Sequence, residues 1–345
     1  MHHKNPPGTP TTDDSAVTAA ATEAAAGFIQ RWHGVAASEL ATSQSFVIEL
    51  CALLGVAPPA HELHYQFERP ITFQHGDGST SPGRVDCYRR GHFVWESKKL
   101  KAGIAAQQAG SATTQAFDDA LLKARTQAEN YARALPASEG RPPFVVVVDV
   151  GHVIELYAEF TRSGATYTPF PDPRSHRIRL DQLADPAIRA RLTALWTDPL
   201  SLDPSRVSAK VTRAVAAELA ELAKSLEAAG HAPQAVAAFL TRCLFSMFAE
   251  DVGLLPQANP STGAEAQGSF VHLLRQYREQ PATLVQMLKV FWQAMDAGGF
   301  NAAIAQDVLR FNGKLFKQPD VLPLDGSQIR LLLDAARADL KHVEP

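Results

Sequence analysis

Asp86, Glu96 and Lys98 stand in the spacing D-x9-E-x-K, and these three residue types at that spacing are equipped for phosphodiester hydrolysis. Side chains alternate faces along a strand, so Glu96 and Lys98 point to one side with Val94, while Phe93, Trp95 and Ser97 point to the other. A tight return near Gly91, between GRVDCYRR and HFVWESKKL, brings Asp86 toward Glu96. Two carboxylates and an ammonium then converge. Carboxylate oxygens are hard ligands for Mg2+, which takes few protein groups and keeps waters. Such an ion polarises a phosphate and lowers the pKa of a bound water, which makes hydroxide available near neutral pH. Lys98 is suited to position that water or to stabilise charge developing on the phosphoryl oxygens. Glu49, on a helix ahead of the strands, offers a further acidic contact to the metal or to Lys98.

The same spacing has a plainer explanation. Acid-x-Lys on an exposed strand face is common, and cross-strand ion pairs account for it without catalysis. Three further features favour chemistry. The order helix, strand, hairpin, helix, buried strand matches an α/β nuclease core. Lys98, Lys99 and Lys101 cluster where a phosphate backbone would lie. Gln127 and Tyr131 sit at i, i+4 on one face of the next helix, within reach of a scissile phosphate or of Lys98. A polar helix edge packed on the sheet explains that last pair equally well.

The elements that must position these residues are legible from periodicity. Glu39–Leu54 carries Phe46, Leu50, Leu53 and Leu54 at helical spacing, with Gly55 as its stop and Pro58 and Pro59 beyond. Tyr65–Gln74 reads as a strand, Gly76-Asp77-Gly78 as a turn, and the two arms around Gly91 as a hairpin. Residues 105–134 are rich in Ala and Gln and end in a helix, Phe117–Leu135, stopped by Pro136. Phe144–Val148 reads as a buried central strand with Val153–Phe160 beside it. Thr161–Arg179, rich in Pro, Gly, Ser and Arg, is expected to wrap the surface. From Ser205 onward the pattern is helical: Ser205–Ala229, Pro233–Val252, Ser269–Glu279, Ala282–Ala297, Asn301–Leu309 and Ser327–Leu340, with a loop at Gln257–Gly268. The expected architecture is a mobile tail over 1–27, an α/β domain with a central mixed sheet over 28–200, and an all-α connector over 201–345. No repeat at a solenoid period is present.

Bulk properties narrow the function classes. A net charge of −3 confines any nucleic-acid surface to a local patch. Cys51, Cys87 and Cys243 are far apart and lack metal-site spacing, which argues against zinc and disulfides and fits a reducing cytoplasm. No apolar run is long enough to span a membrane, and the N-terminal residues lack the pattern of a signal peptide.

With Gln127 and Tyr131 as Q-x3-Y beside D-x9-E-x-K, the chain resembles PD-(D/E)xK nuclease domains. Through SQSFVIELCALLGV (43–56), FLTRCLFSMFAEDVGLLP (239–256) and RFNGKLF (310–316), it resembles more closely the MmeI-like restriction–modification enzymes. In these, nuclease, helical spacer, methyltransferase and target-recognition domains share one polypeptide. The resemblance covers roughly 28–345 and implies Mg2+-dependent cleavage of double-stranded DNA, with Mn2+ able to substitute, in the restriction of foreign DNA in a bacterial cytoplasm. It implies Asp86, Glu96, Lys98, Gln127 and Tyr131 as catalytic residues and Asp86, Glu96 and Glu49 as metal ligands. It also implies S-adenosylmethionine in a methyltransferase domain, in cis or as a separate subunit, and dimerisation for double-strand cleavage.

Two departures stand out. Val85 precedes Asp86 where the pattern has Pro, and neither a glycine-rich cofactor segment nor an N-P-P-Y-type motif occurs, since Asn259-Pro260 is followed by Ser261-Thr262. The chain is therefore expected to be a fragment or a split subunit. The competing reading is a catalytically silent or gated nuclease-like module that docks a methyltransferase; an enzyme for small phosphates lacks its phosphate loop. Glu250-Asp251 reads as a cap or helix–helix contact, Arg310-Asn312-Gly313 as a turn, and His92 as a hairpin-tip residue near the site.

Overall fold

The computed structural model describes residues 12–33, 35, 39–60, 64–98, 115–258, 267–311, 313–317, 319–338 and 340. The chain divides into two compact units at Asp203/Pro204.

Unit 1 is built on a mixed sheet. Its helices are α1 (Thr12–Trp32), α2 (Glu39–Leu54), α3 (Gln115–Ala134) and α4 (Pro186–Thr197). Its strands are β1 (Tyr65–Gln74), β2 (Thr80–Arg89), β3 (Phe93–Lys98), β4 (Phe144–Asp149), β5 (Val153–Ala158), β6 (Thr168–Pro169) and β7 (Arg177–Arg179). They run in the order β1-β2-β3-β4-β5-β6, with β7 also paired to β5. Among the described strands only β3 and β4 pair in parallel, which needs a crossover, and α3 lies in that connection.

Every residue of β4 is buried, because helices cover both faces. On one face, Phe28 and Trp32 of α1, Phe46 and Leu50 of α2 and Leu192 and Trp196 of α4 pack on Trp95, Val146 and Val148. On the other, Phe117, Leu121, Ala124, Ala128 and Tyr131 form one stripe of α3 on Val94, Val145 and Val147.

The expected mobile tail over 1–27 is corrected in part, since α1 begins at Thr12. Its Ala-rich composition is the best helix former, and Ala25, Phe28 and Trp32 bury one side. The surface wrap expected over Thr161–Arg179 contributes two short strands to the sheet instead. Lys99, Lys101 and the first part of the Ala- and Gln-rich stretch lie outside the described residues.

One irregularity shapes the site. Tyr65 and Phe67 pack in the α1/α2/α4 core, yet Ile71 and Phe73, which strict alternation would keep on the same side, pack in the α3 core. Arg69 already lies over the Tyr88 ring, on the α3 side. Between them, Glu68 has φ +54°, in the left-handed region, and this residue inverts the facing of the strand. The partner strand inverts in step, with Cys87 in the first core and Val85 in the second. The register, Phe67 opposite Cys87 and Arg69 opposite Val85, sets Glu68 across from Asp86.

Unit 2 is mostly helical: α5 (Pro204–Ala228), α6 (Pro233–Asp251), α7 (Ser269–Gln276), α8 (Pro281–Ala297) and α9 (Gly326–Ala336). Leu222, Phe239, Phe270, Leu288, Trp292 and Leu332 meet in its core. The expected all-α connector also holds two small ribbons: β8 (Gln257–Ala258) on β9 (Gln267–Gly268), and β10 (Gly299–Asn301) on β11 (Gln306–Val308). The second replaces the helix expected over Asn301–Leu309. Gly298 and Gly299 both have positive φ, and the buried Asn301 side chain accepts from Ala303 N–H and donates to the Phe291 carbonyl, which fixes a turn where apolar spacing alone suggests a helix.

Glu250 accepts from Phe270 N–H at 2.6 Å and so caps the start of α7, while Asp251 accepts from Leu340 N–H at 2.7 Å and ties the end of α6 to the segment after α9. No helix among the described residues is long and apolar enough to cross a membrane.

Candidate active site

A cleft of about 260 Å³ opens where β3 ends, lined by Ser43, Gln44, Glu68, Asp86, Glu96, Ser97, Lys98 and Gln127. Glu96 and Lys98 reach it from one face of β3 because they are two residues apart on a strand. The Lys98 ammonium donates to Glu96 Oε1 at 2.7 Å. Glu96 is 1% exposed and Lys98 30%, so the pair is not a solvated surface ion bridge.

Asp86 arrives from the neighbouring strand. The β2–β3 ladder runs from Arg89 opposite Phe93 to Cys87 opposite Trp95. One residue farther, the Asp86 carboxylate accepts the backbone N–H of Ser97 at 2.7 Å. Asp86 is therefore held by the residue between Glu96 and Lys98, and the hairpin brings the acids together as its spacing implies. Ser97 faces the opposite core, where its hydroxyl accepts from Ser43 Oγ at 2.6 Å and from Trp95 Nε1 at 2.9 Å. The bond from Ser43 anchors the strand to α2 between Glu96 and Lys98.

Helix α3 supplies the remaining wall. Gln127 lines the cleft and donates from Nε2 to the Tyr131 hydroxyl at 2.9 Å. Tyr131 is not a lining residue. Its ring is buried and stacks on Phe73, with centroids 5.6 Å apart. Gly83 makes room for that stack, since a Cβ there would lie 2.6 Å from Phe73 and 2.8 Å from Tyr131.

Two residues that the sequence pattern places at the site fall elsewhere. Glu49 does not line the cleft; its Oε2 accepts from Trp32 Nε1 at 2.9 Å and from Arg31 at 3.1 Å, a link between α2 and α1. A helical residue there is turned by its period toward α1, a neighbour that the spacing does not reveal. His92 sits at the far end of β3, on the order of 13–20 Å of extended chain from Glu96 and Lys98. Its Nδ1 lies 2.9 Å from the Arg90 carbonyl, and burial pushes its pKa down.

Glu68, Ser43 and Gln44 line the cleft without having stood out in the sequence. Only Glu68 leaves a trace there, because strands pairing about the Asp77 turn put residue 68 opposite Asp86, and like charges in that position are unfavourable for a sheet alone.

Asp86 and Glu96 form a hard-oxygen donor set that fits Mg2+ or Mn2+. No group of three His, Cys, Asp or Glu side chains among the described residues is placed to hold a metal ion directly, so the set suits a cation that keeps most of its waters. The three cysteines are buried free thiols, and burial raises the pKa of each.

No curated protein and no solved structure matches the chain. Two family models do. The model described as "MmeI, N-terminal domain" matches residues 19–229, and the model described as "MmeI, helicase spacer domain" matches residues 234–316. The first match runs through α5, which packs in unit 2 by Val215, Leu222 and Leu226, so the family boundary and the boundary of compact structure differ by one helix. The N-terminal-domain match alone spans more than half of the sequence and includes every residue of the cleft, and on that ground the chain belongs to the MmeI family of restriction–modification enzymes.

Proposed function

We propose that unit 1 is a Mg2+-dependent endonuclease domain that hydrolyses phosphodiester bonds of double-stranded DNA, within a cytoplasmic restriction–modification enzyme. The observation that carries this reading is Glu96. A carboxylate 1% exposed, paired with Lys98 and sharing a cleft with Asp86, is placed for chemistry rather than for solubility.

Asp86 and Glu96 would hold Mg2+, or Mn2+ in its place. Bound there, the ion supplies Lewis-acid charge to a phosphate and acidifies water. The chain's own groups do the rest. Ser97 N–H fixes the Asp86 carboxylate. Lys98, partly exposed at the cleft, offers its ammonium to charge developing on phosphoryl oxygens. Gln127 presents its amide to the same space, and Tyr131 orients that amide. Glu49, bonded to Trp32 and Arg31, is left as a brace between helices. S-adenosylmethionine and target recognition belong to methyltransferase and recognition domains, in cis or as a separate subunit, and double-strand cleavage uses two protomers.

A plasmid-nicking assay with Mg2+ or Mn2+ tests the proposal. The chain is expected to nick supercoiled DNA, and Lys98→Ala to lose about 100–1,000-fold in rate. If the chain and the full-length enzyme containing it both fail to cut, the nuclease reading is wrong; cutting by the full-length enzyme alone would mean that other domains gate the site.

A further inference from the structure

Glu68 lines the cleft and has no task in the mechanism just given. Its backbone has φ +54°, in the left-handed region that disfavours a non-glycine residue. Its Oε1 is buried and accepts no hydrogen bond among the described residues, while Oε2 lies 3.4 Å from the exposed Arg84. It stands opposite Asp86 by register, in a cleft that also holds Glu96. Lys98 is the one cation among the described residues lining that cleft, and the Arg84 that reaches Glu68 does so from the exposed surface, at 3.4 Å. A fold gains nothing by turning a strand over at an unfavourable φ in order to add negative charge beside two acids. A cation in the cleft reverses that balance.

We propose that Glu68 is a positioning residue of the metal site, holding the cation through one of its waters from the strand opposite Asp86. The contact runs through water because the acids of the cleft are not gathered closely enough for three to bind one ion directly. A hydrated divalent cation commonly keeps several waters, and a carboxylate at one remove orients them. The unbonded Oε1 is the acceptor for that water. This assignment rests on the nuclease reading, since it presumes a cation at Asp86 and Glu96.

Calorimetric titration with Mn2+ alone tests it without any cleavage assay. The full chain is compared with Glu68→Gln and Glu96→Ala. Glu96→Ala should abolish binding, and Glu68→Gln should weaken it roughly tenfold. Wild-type affinity in Glu68→Gln, with binding lost in Glu96→Ala, overturns the role of Glu68 and leaves the metal site standing. Absence of Mn2+ binding by the wild-type chain, or binding indifferent to Glu96→Ala, overturns both. Should Glu68→Gln fold poorly, Glu68→Gly is the second variant, because glycine adopts the observed φ freely. It should melt no lower than the wild type and bind Mn2+ roughly tenfold more weakly; unchanged affinity there overturns the proposal.

Discussion

Glu96 on β3 and Glu155 on β5 lie on the same face of one sheet, each 1% exposed, and α3 serves both. Their surroundings differ. Glu155 accepts from Arg177 Nε at 2.6 Å and from Tyr157 Oη at 2.7 Å, with His176 Nε2 3.8 Å away. Arg177 in turn donates to Asp118 at 2.8 Å, which ties β7 to the start of α3. Glu155 too lines a cleft with two further carboxylates, Asp118 and Asp119, but there Arg177 bridges Glu155 to Asp118, whereas Glu96 pairs with Lys98 and shares its cleft with Asp86 and Glu68. A buried acid whose bonds go to cations and hydroxyls of its own sheet is structural. At Glu96 the grouped acids form an arrangement that folding alone disfavours, and the metal ion proposed above would add positive charge there.

The comparison breaks first if Glu96 proves structural. Glu96→Gln keeps the side chain's size and removes one of three crowded charges, so thermal stability should hold or rise. Nicking activity should fall about 1,000-fold or more. A clear drop in melting temperature would place Glu96 with Glu155 and undo the distinction. The converse test removes Glu155. Glu155→Ala leaves the Arg177 guanidinium half-buried without its main partner, which should destabilise unit 1 by about 3 kcal/mol in urea unfolding. Below the transition, nicking per folded molecule should be unchanged.

How far this contrast is legible in the sequence follows from which rule governs each residue. Asp86, Glu96 and Lys98 obey strand alternation and a short hairpin, so their convergence can be read from spacing. Glu68 lies on a strand whose facing inverts at that residue, and alternation predicts the wrong side for everything beyond it. Glu49 is on a helix whose bounds periodicity predicts to the residue, but which neighbour its face meets depends on α1. The Glu155 cluster joins β5, β7 and α3, three segments far apart in the chain, and β7 is three residues inside a stretch with the composition of a loop. The helix expected over Asn301–Leu309 fails for a local reason, the two left-handed glycines before it.

A smaller effect sharpens the role of α3. Gly83→Ala puts a methyl group against Phe73 and Tyr131, so their stack must shift. Overpacking of this kind should cost about 1–2 kcal/mol in unfolding free energy. Because Tyr131 orients Gln127, nicking should also slow several-fold while Mn2+ affinity, set on the strands, stays at the wild-type value. A loss of Mn2+ affinity would show that the helix wall and the acidic wall are not separable.

Unit 2 offers a third kind of carboxylate, half-buried and bonded to backbone N–H groups. Burial raises the Glu250 pKa from 4.5 to about 7, against the lowering effect of the Phe270 and Val271 N–H groups. The folded chain therefore holds a proton there that the unfolded chain releases near the ordinary carboxylate range. Stability from this group is fully present below about pH 4.5 and is lost as pH rises through about 7. The loss should amount to about 1 kcal/mol between about pH 6 and about pH 7. Glu250→Gln stays neutral and can still accept both backbone bonds, so urea unfolding of unit 2 in that variant should lack this segment of the pH profile. Parallel profiles for the two proteins would mean that the capping bonds, rather than burial, set the ionisation of Glu250, and that backbone donors alone keep a buried acid charged.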